Sequence, residues 1–143
     1  MNDIRIIDTH CHLDFNELKT RLDEVIKDAK INNVTDMVTI STNLSRIDAI
    51  KDISEQYQEV FFTVGVHPNE AHKDKQYNDY DFMENYSNHE KCVGIGEGGL
   101  DYYYNKENMK LQKNSLEVQI NVARSTNLPM IIHSRDADDD MME

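Results

Sequence analysis

Three histidines and one glutamate carry the chemistry this sequence is equipped for. His10 and His12 flank Cys11. Side chains alternate along an extended strand, so the two imidazoles point one way and Cys11 the other. Two imidazoles projecting together from a strand end can grip one divalent ion. Glu97 ends the run Cys92-Val93-Gly94-Ile95-Gly96, and His133 ends Pro129-Met130-Ile131-Ile132. A carboxylate with imidazoles is the ligand set of hydrolytic zinc, manganese or magnesium centres. Each residue alone also has an ordinary reading: a solvated strand-end carboxylate, a surface pair of histidines, a core histidine. Their joint occurrence at three strand ends favours a metal, provided the fold makes those ends converge.

The elements that must position them alternate between strand and helix. Ile4 to His10 is β-branched and reads as a first strand. Asp14 with Glu17 three residues on resembles a capping box, opening a helix with Leu18, Leu22, Val25, Ile26 and Ala29 at helical spacing through about Asn33. Asp36 to Ser41 is a second strand. Ser45 is placed to cap a helix striped by Ile47, Ile50 and Ile53, ending near Tyr57. Val60 to Val66 is nearly all apolar and predicts a third strand buried on both faces. A polar loop from His67 to Tyr77, a short helix from Asp79 to Tyr86, a fourth strand ending at Glu97 and an aromatic loop from Gly98 to Lys106 follow. A helix carrying Leu111, Leu116, Ile120 and Ala123 leads to the fifth strand, Pro129 to His133, and the residues after it start another helix.

This alternation predicts an α/β fold with a mainly parallel sheet. A doubly wound sheet and a (β/α) barrel both begin this way. Ligand candidates at C-terminal strand ends favour the barrel, and no GxGxxG fingerprint follows the first strand. A complete barrel has eight strand–helix units in about 250 residues. Residues 1–143 therefore read as one incomplete barrel domain, strands one to five of an expected eight.

Composition narrows the partners. The chain has 27 acidic and 15 basic residues, a formal charge of −12, and a mean hydropathy of −0.71. A protein whose whole surface tracks nucleic acid needs a clustered basic footprint, which this chain lacks; a local nucleic-acid site is still open to it, since a metal ion can supply positive charge where side chains do not. No apolar run is long enough to span a membrane. The charged N-terminus shows no signal peptide. Cys11 and Cys92 lack redox or metal-ribbon spacing, so the expected compartment is the cytoplasm.

Four ordered motifs turn these readings into a resemblance. Asp8-Thr9-His10-Cys11-His12-Leu13-Asp14, Val64-Gly65-Val66-His67-Pro68, Gly96-Glu97-Gly98-Gly99-Leu100-Asp101-Tyr102-Tyr103 and His133-Ser134-Arg135-Asp136-Ala137 resemble, in that order, the TatD family of metal-dependent deoxyribonucleases. Gln112, Gln119 and Leu128-Pro129 fit as well. The likeness covers essentially this whole chain and the N-terminal part of a family member. It implies a TIM-type barrel of the metal-dependent hydrolase kind, truncated after about strand five. It also implies one or two divalent ions (Mg, Mn or Zn) and DNA, attacked at its ends, as the substrate. His10, His12, Glu97 and His133 match the metal ligands, with Glu97 able to bridge two ions. His67, Glu97 and Arg135 make up the candidate catalytic set, and Asp101, Tyr102 and Arg135 the candidate substrate contacts; Arg135 enters both by our own reading, as a cation placed to meet a substrate phosphate. Gly98 departs from the family's larger residue, and the added freedom is expected to loosen the turn that aims Glu97. The family's further histidine after strand six and aspartate after strand eight, the latter the expected general base, lie beyond Glu143. This chain alone is therefore expected to bind metal weakly and to hydrolyse negligibly.

Other residues weigh less. Tyr102, Tyr103 and Tyr104 could stack on bases, although loop tyrosines ordinarily pack a loop down. Cys11 has no base on its strand face and reads as buried. His72 and His89 read as solvated, and Asp138 to Asp140 as the acidic start of a helix. Two alternatives stand beside the nuclease: a small-molecule amide or ester hydrolase on the same scaffold, and a catalytically silent association module. In the latter, open sheet edges would take a second copy or a complementing chain.

Overall fold

A computed structural model describes residues 4–73, 79–104 and 106–143. Five parallel strands lie in the order β1-β2-β3-β4-β5. They are β1 (Ile6–Cys11), β2 (Val34–Thr39), β3 (Val60–Val64), β4 (Cys92–Asp101) and β5 (Met130–Arg135). Each new strand docks beside the one before it and the order never reverses. A doubly wound sheet reverses at its switch point, so the topology is that of a barrel, and the sheet forms a truncated one.

The helices between the strands are α1 (Asn16–Lys19), α2 (Leu22–Ile31), α3 (Ile47–Gln56), α4 (Tyr80–Ser87), α5 (Met109–Thr126) and α6 (Asp138–Met141). On α3 the buried residues Ile47, Ile50 and Ile53 form the stripe that the spacing predicts. Ile47 and Ile50 meet Phe62 and Val64 of β3 and Ile95 of β4 in the main core, which α5 completes with Val122 and Ala123. A second cluster sets Ile26 of α2 against Met37, Ile53 and Val60. The outer strands differ: Ile6 and Ile7 of β1 and Ile132 of β5 are exposed.

Several local expectations change. The helix predicted from Asp14 to Asn33 is broken into α1 and α2, and no capping box forms. Phe15 takes the cap position because Asp14 turns inward to Arg46, whose Nη2 lies 2.9 Å from its Oδ2. The cap near Ser45 is Asn43, whose side chain accepts the Ser45 N–H at 2.8 Å. Asp79 caps α4 through the Asp81 N–H at 2.9 Å. The last four positions of the predicted His67–Tyr77 loop lie outside the described residues; its start is a turn over Pro68–Glu70.

The largest change is at β4, which runs to Asp101 instead of stopping at Glu97. Gly98 to Asp101 pair with Ile132 to Arg135 after an irregularity between Ile95 and Gly98. Gly99 makes that pairing possible: its φ is +152°, and a Cβ there would fall 1.9 Å from the His133 carbonyl oxygen. Gly98 has a packing reason too, since a Cβ would meet the Gln119 side chain at 2.8–3.0 Å. The space beside Glu97 is therefore filled by α5 and not left as a loose turn.

Two glutamines on α5 hold the ends of β3 and β4. Gln112 is wholly buried; its Oε1 accepts the Asp101 N–H at 2.8 Å and its Nε2 donates to the Asp101 carbonyl at 2.9 Å. Gln119, seven residues on and on the same helix face, pairs likewise with Val66, at 3.1 and 3.0 Å. Each side-chain amide completes backbone hydrogen bonding where the strand ladder ends.

Candidate metal centre

The sheet brings His10, His12, His67, Glu97 and His133 together at its C-terminal face. At β1 the register against β2 breaks between Asp8 and Cys11, and the Asp8 carboxylate accepts the His10 N–H at 3.0 Å. His10 and His12 leave this turn with ring centroids 5.2 Å apart, edge to face. Glu97, 8% exposed, sits at the irregularity of β4 with its N–H on the Ser41 carbonyl at 3.0 Å. Its Oε2 is 3.4 Å from His10 Nε2, and its Oε1 is 3.1 Å from His133 Nδ1. Two sets of donor atoms result, His10–His12–Glu97 and His67–Glu97–His133, each within 4.8 Å. Glu97 belongs to both, with one carboxylate oxygen toward His10 and the other toward His133.

The second nitrogen of each ring decides whether these donors fit a cation. His12 Nδ1 lies 3.1 Å from the Ile40 carbonyl. A carbonyl only accepts, so the proton is on Nδ1 and the Nε2 lone pair is free. His133 Nε2 lies 3.2 Å from Asp101 Oδ2, which puts the proton there and turns the Nδ1 lone pair toward Glu97. In the neutral ring that lone pair and the Glu97 oxygen, 3.1 Å apart, are two donors a divalent ion could share. Both rings thus have the arrangement of metal-ligating histidines, whose outer N–H is tied to a carbonyl or carboxylate.

His67 is oriented the other way. Its Nδ1 accepts the Asn69 N–H at 3.1 Å, so the neutral ring carries its proton on Nε2 and has a donor, not a lone pair, to offer. Burial and the nearby His133, whose ring centroid is 4.4 Å away, hold its pKa below the usual histidine range and keep it neutral. Its place is that of a hydrogen-bond donor beside the ligands. A cavity of about 320 Å³ opens here between His12, Phe15, His67, Asn69 and Glu97. A larger groove of about 550 Å³, between α2 and α3, is on the outside of the barrel and holds none of these residues.

Two implied substrate contacts sit elsewhere. Asp101 is wholly buried and holds the loop: its Oδ2 accepts from Asn69 Nδ2 at 3.0 Å and its Oδ1 from the Tyr103 N–H at 3.1 Å. Burial pushes its pKa up, but these bonds and His133 outweigh it and hold the carboxyl below the usual range. Asp101 therefore acts on His133 and not on a ligand in the cavity. Tyr102 turns inward, 6% exposed, with its hydroxyl on Asp140 at 2.6 Å and its ring packed with Leu100 and Ala137. Arg135 is exposed, its Nε 4.0 Å from Asp101 and its guanidinium over the rings of Tyr104 and Tyr103.

Cys11 is half-buried with its thiol pushed up to about 12, first by burial and then by Asp8 and Asp14, which rules out a thiolate nucleophile near neutral pH. His89 is not simply solvated: it pairs with Glu55 at 3.1 Å and packs on Phe62. No described helix is long and apolar enough to cross a membrane.

Comparison with known proteins agrees with this geometry. The family model described as TatD related DNase matches residues 7–143. An uncharacterized metal-dependent hydrolase of Bacillus subtilis is 37% identical over 137 residues, 96% of this chain and 53% of that protein. The human deoxyribonuclease TATDN3 is 32% identical over 148 residues, 94% of this chain and 53% of the relative. The crystal structure of a TatD homolog from Escherichia coli K12 superposes with a TM-score of 0.88 at 26% identity, over 96% of this chain and 54% of the other. The chain thus spans about half the length of the relatives it matches. With the motifs, the strand order and a family match over nearly every residue, the chain belongs to the TatD family.

Proposed function

We propose that this chain carries the metal-holding part of a hydrolase that cleaves phosphodiester bonds at DNA ends. The observation that supports it best is Glu97, whose two carboxylate oxygens face His10 at 3.4 Å and His133 at 3.1 Å. Divalent ions in such a site polarise a phosphoryl oxygen and lower the pKa of water. His10, His12, Glu97 and His133 are the residues to hold them, and Asp101 fixes the His133 ring. His67 keeps its proton on Nε2 and so can donate a hydrogen bond to a substrate oxygen at the cavity wall. Arg135, exposed beside Asp101, offers a cation for a phosphate. The kinship with a protein named a deoxyribonuclease favours DNA over a small amide or ester. The two free thiols suit a reducing cytoplasm. The exposed apolar residues of β1 and β5 suit pairing with a further strand-bearing segment, which size-exclusion chromatography with intact mass measures.

The test is incubation of single-stranded DNA with magnesium or manganese and either this chain or a family-length relative. Metal-dependent shortening of the DNA by the relative, and weaker shortening by this chain, is the expected result. No cleavage by either protein sinks the assignment.

A further inference from the structure

Beside the His133 end of the site, two aromatic rings stand in solvent where apolar surface is ordinarily covered. Tyr103 and Tyr104 are 62% and 65% exposed, although the turn that carries them is firmly held. The Asp101 carboxylate accepts both their N–H groups, at 3.1 and 3.4 Å, and Tyr102 anchors the start of the turn in the core. The rings meet edge to face, with centroids 4.6 Å apart and planes at 89°. Arg135 backs them, its guanidinium carbon 5.2 Å from the Tyr104 centroid and 5.9 Å from that of Tyr103. Asp101 ties this unit to the metal centre, since its other oxygen holds His133 Nε2 at 3.2 Å.

Resting on the phosphodiesterase reading above, we propose that Tyr103, Tyr104 and Arg135 form a stacking platform for an unpaired nucleobase of the substrate strand. Rings held in place by backbone anchors lose little conformational freedom on binding. A base stacks on a tyrosine face whatever its identity, and a guanidinium layer extends the same surface. In a chain of net charge −12, a flat, sequence-tolerant contact of this kind supplies affinity that a diffuse basic surface cannot. A paired base keeps its faces inside the duplex, so the platform selects single-stranded or frayed ends.

The experiment is fluorescence anisotropy of a labelled short oligothymidylate with this chain, in EDTA and low salt, so that no cleavage enters. Stacking is worth roughly 1–3 kcal/mol per base, so the double variant Tyr103→Ala/Tyr104→Ala is expected to bind about 5- to 150-fold more weakly, with Tyr→Phe at both positions retaining affinity. An oligonucleotide with an abasic end is expected to bind the parent chain as poorly as the intact one binds the double variant. Because both rings are exposed, the melting curve of the double variant should match the parent, and the abasic comparison needs no variant at all. Equal affinity for intact and abasic ends, undiminished binding by the double variant, or no binding by the parent overturns the platform. A chain that discriminates the base yet never cuts DNA fails only the hydrolase reading; one that cuts intact and abasic ends alike fails only this inference.

Discussion

Replacing Gln119 with Met tests how α5 holds the end of β3. Methionine nearly matches glutamine in length and volume, so the substitution removes hydrogen bonds while leaving the cavity filled. The Gln119 amide accepts the Val66 N–H at 3.1 Å and donates to the Val66 carbonyl at 3.0 Å, both buried. Met supplies neither partner, and water has no route to a wholly buried position. Each buried polar group left unpaired costs about 1–3 kcal/mol, so two of them give about 2–6 kcal/mol, partly offset by the apolar burial of the new side chain. The expected loss is about 3 kcal/mol, or roughly 10 °C in Tm for a domain of this size. Urea unfolding followed by circular dichroism reads it directly, with an unchanged m-value as the sign that the folded state is preserved. Glu117→Met, on the exposed face of the same helix, is the control and should move stability by no more than about 0.5 kcal/mol. A loss below about 1 kcal/mol for Gln119→Met would refute the reasoning, because it would mean Val66 finds other partners at no penalty.

Three further outcomes follow from the same contacts. Lys91 lies with its Nζ 2.8–3.2 Å from the carbonyls of Ser54, Tyr57, Gln58 and Val60 at the end of α3, so Lys91→Met should lose about 2 kcal/mol in thermal unfolding. Asp101→Asn keeps the shape of the turn but gives His133 a weaker partner; metal affinity measured by equilibrium dialysis should fall about 10- to 100-fold, the usual penalty for an outer-shell change. The Cys11 thiol, pushed up to about 12 from its ordinary value near 9, should react with iodoacetamide at a rate still rising about tenfold per pH unit between about pH 8 and 10, without a plateau. The folded chain keeps this proton where the unfolded chain releases it, so stability that is full below about pH 9 is lost as pH rises toward 12. In urea titrations Cys11→Ala should lose less than the parent over that range.

The fold was legible where burial on both faces leaves a simple signal. Val60 to Val64 is apolar apart from Thr63 and is β3, and the isoleucine stripe of α3 needs only helical spacing. The end of β4 was hidden because Gly98-Gly99-Leu100-Asp101 carries turn residues; it is strand only because Gly99 lets the His133 backbone approach. Asp14 misled for a related reason. Its spacing to Glu17 fits a cap, but a partner 32 positions away, Arg46, takes the carboxylate. At the site, the residue types and strand ends pointed to His10, His12, Glu97 and His133, which the structure brings together. What local sequence could not carry is the second contact of each ring: Ile40 on His12, Asp101 on His133, Asn69 on His67. The available hint was polarity in the wrong place, since Gln112 and Gln119 stand seven apart on the buried face of α5.

Calorimetric titration of manganese or zinc into the parent chain and into Glu97→Gln tests the metal centre most directly. Glutamine keeps the size of Glu97 but removes the negative charge between His10 and His133 and leaves both facing a neutral amide. The account predicts weak, saturable heat from the parent and none from Glu97→Gln, with the unfolding free energies of the two proteins from urea titration agreeing to within about 1 kcal/mol. Binding that survives Glu97→Gln at undiminished affinity, or a parent chain that takes up neither ion, would contradict it.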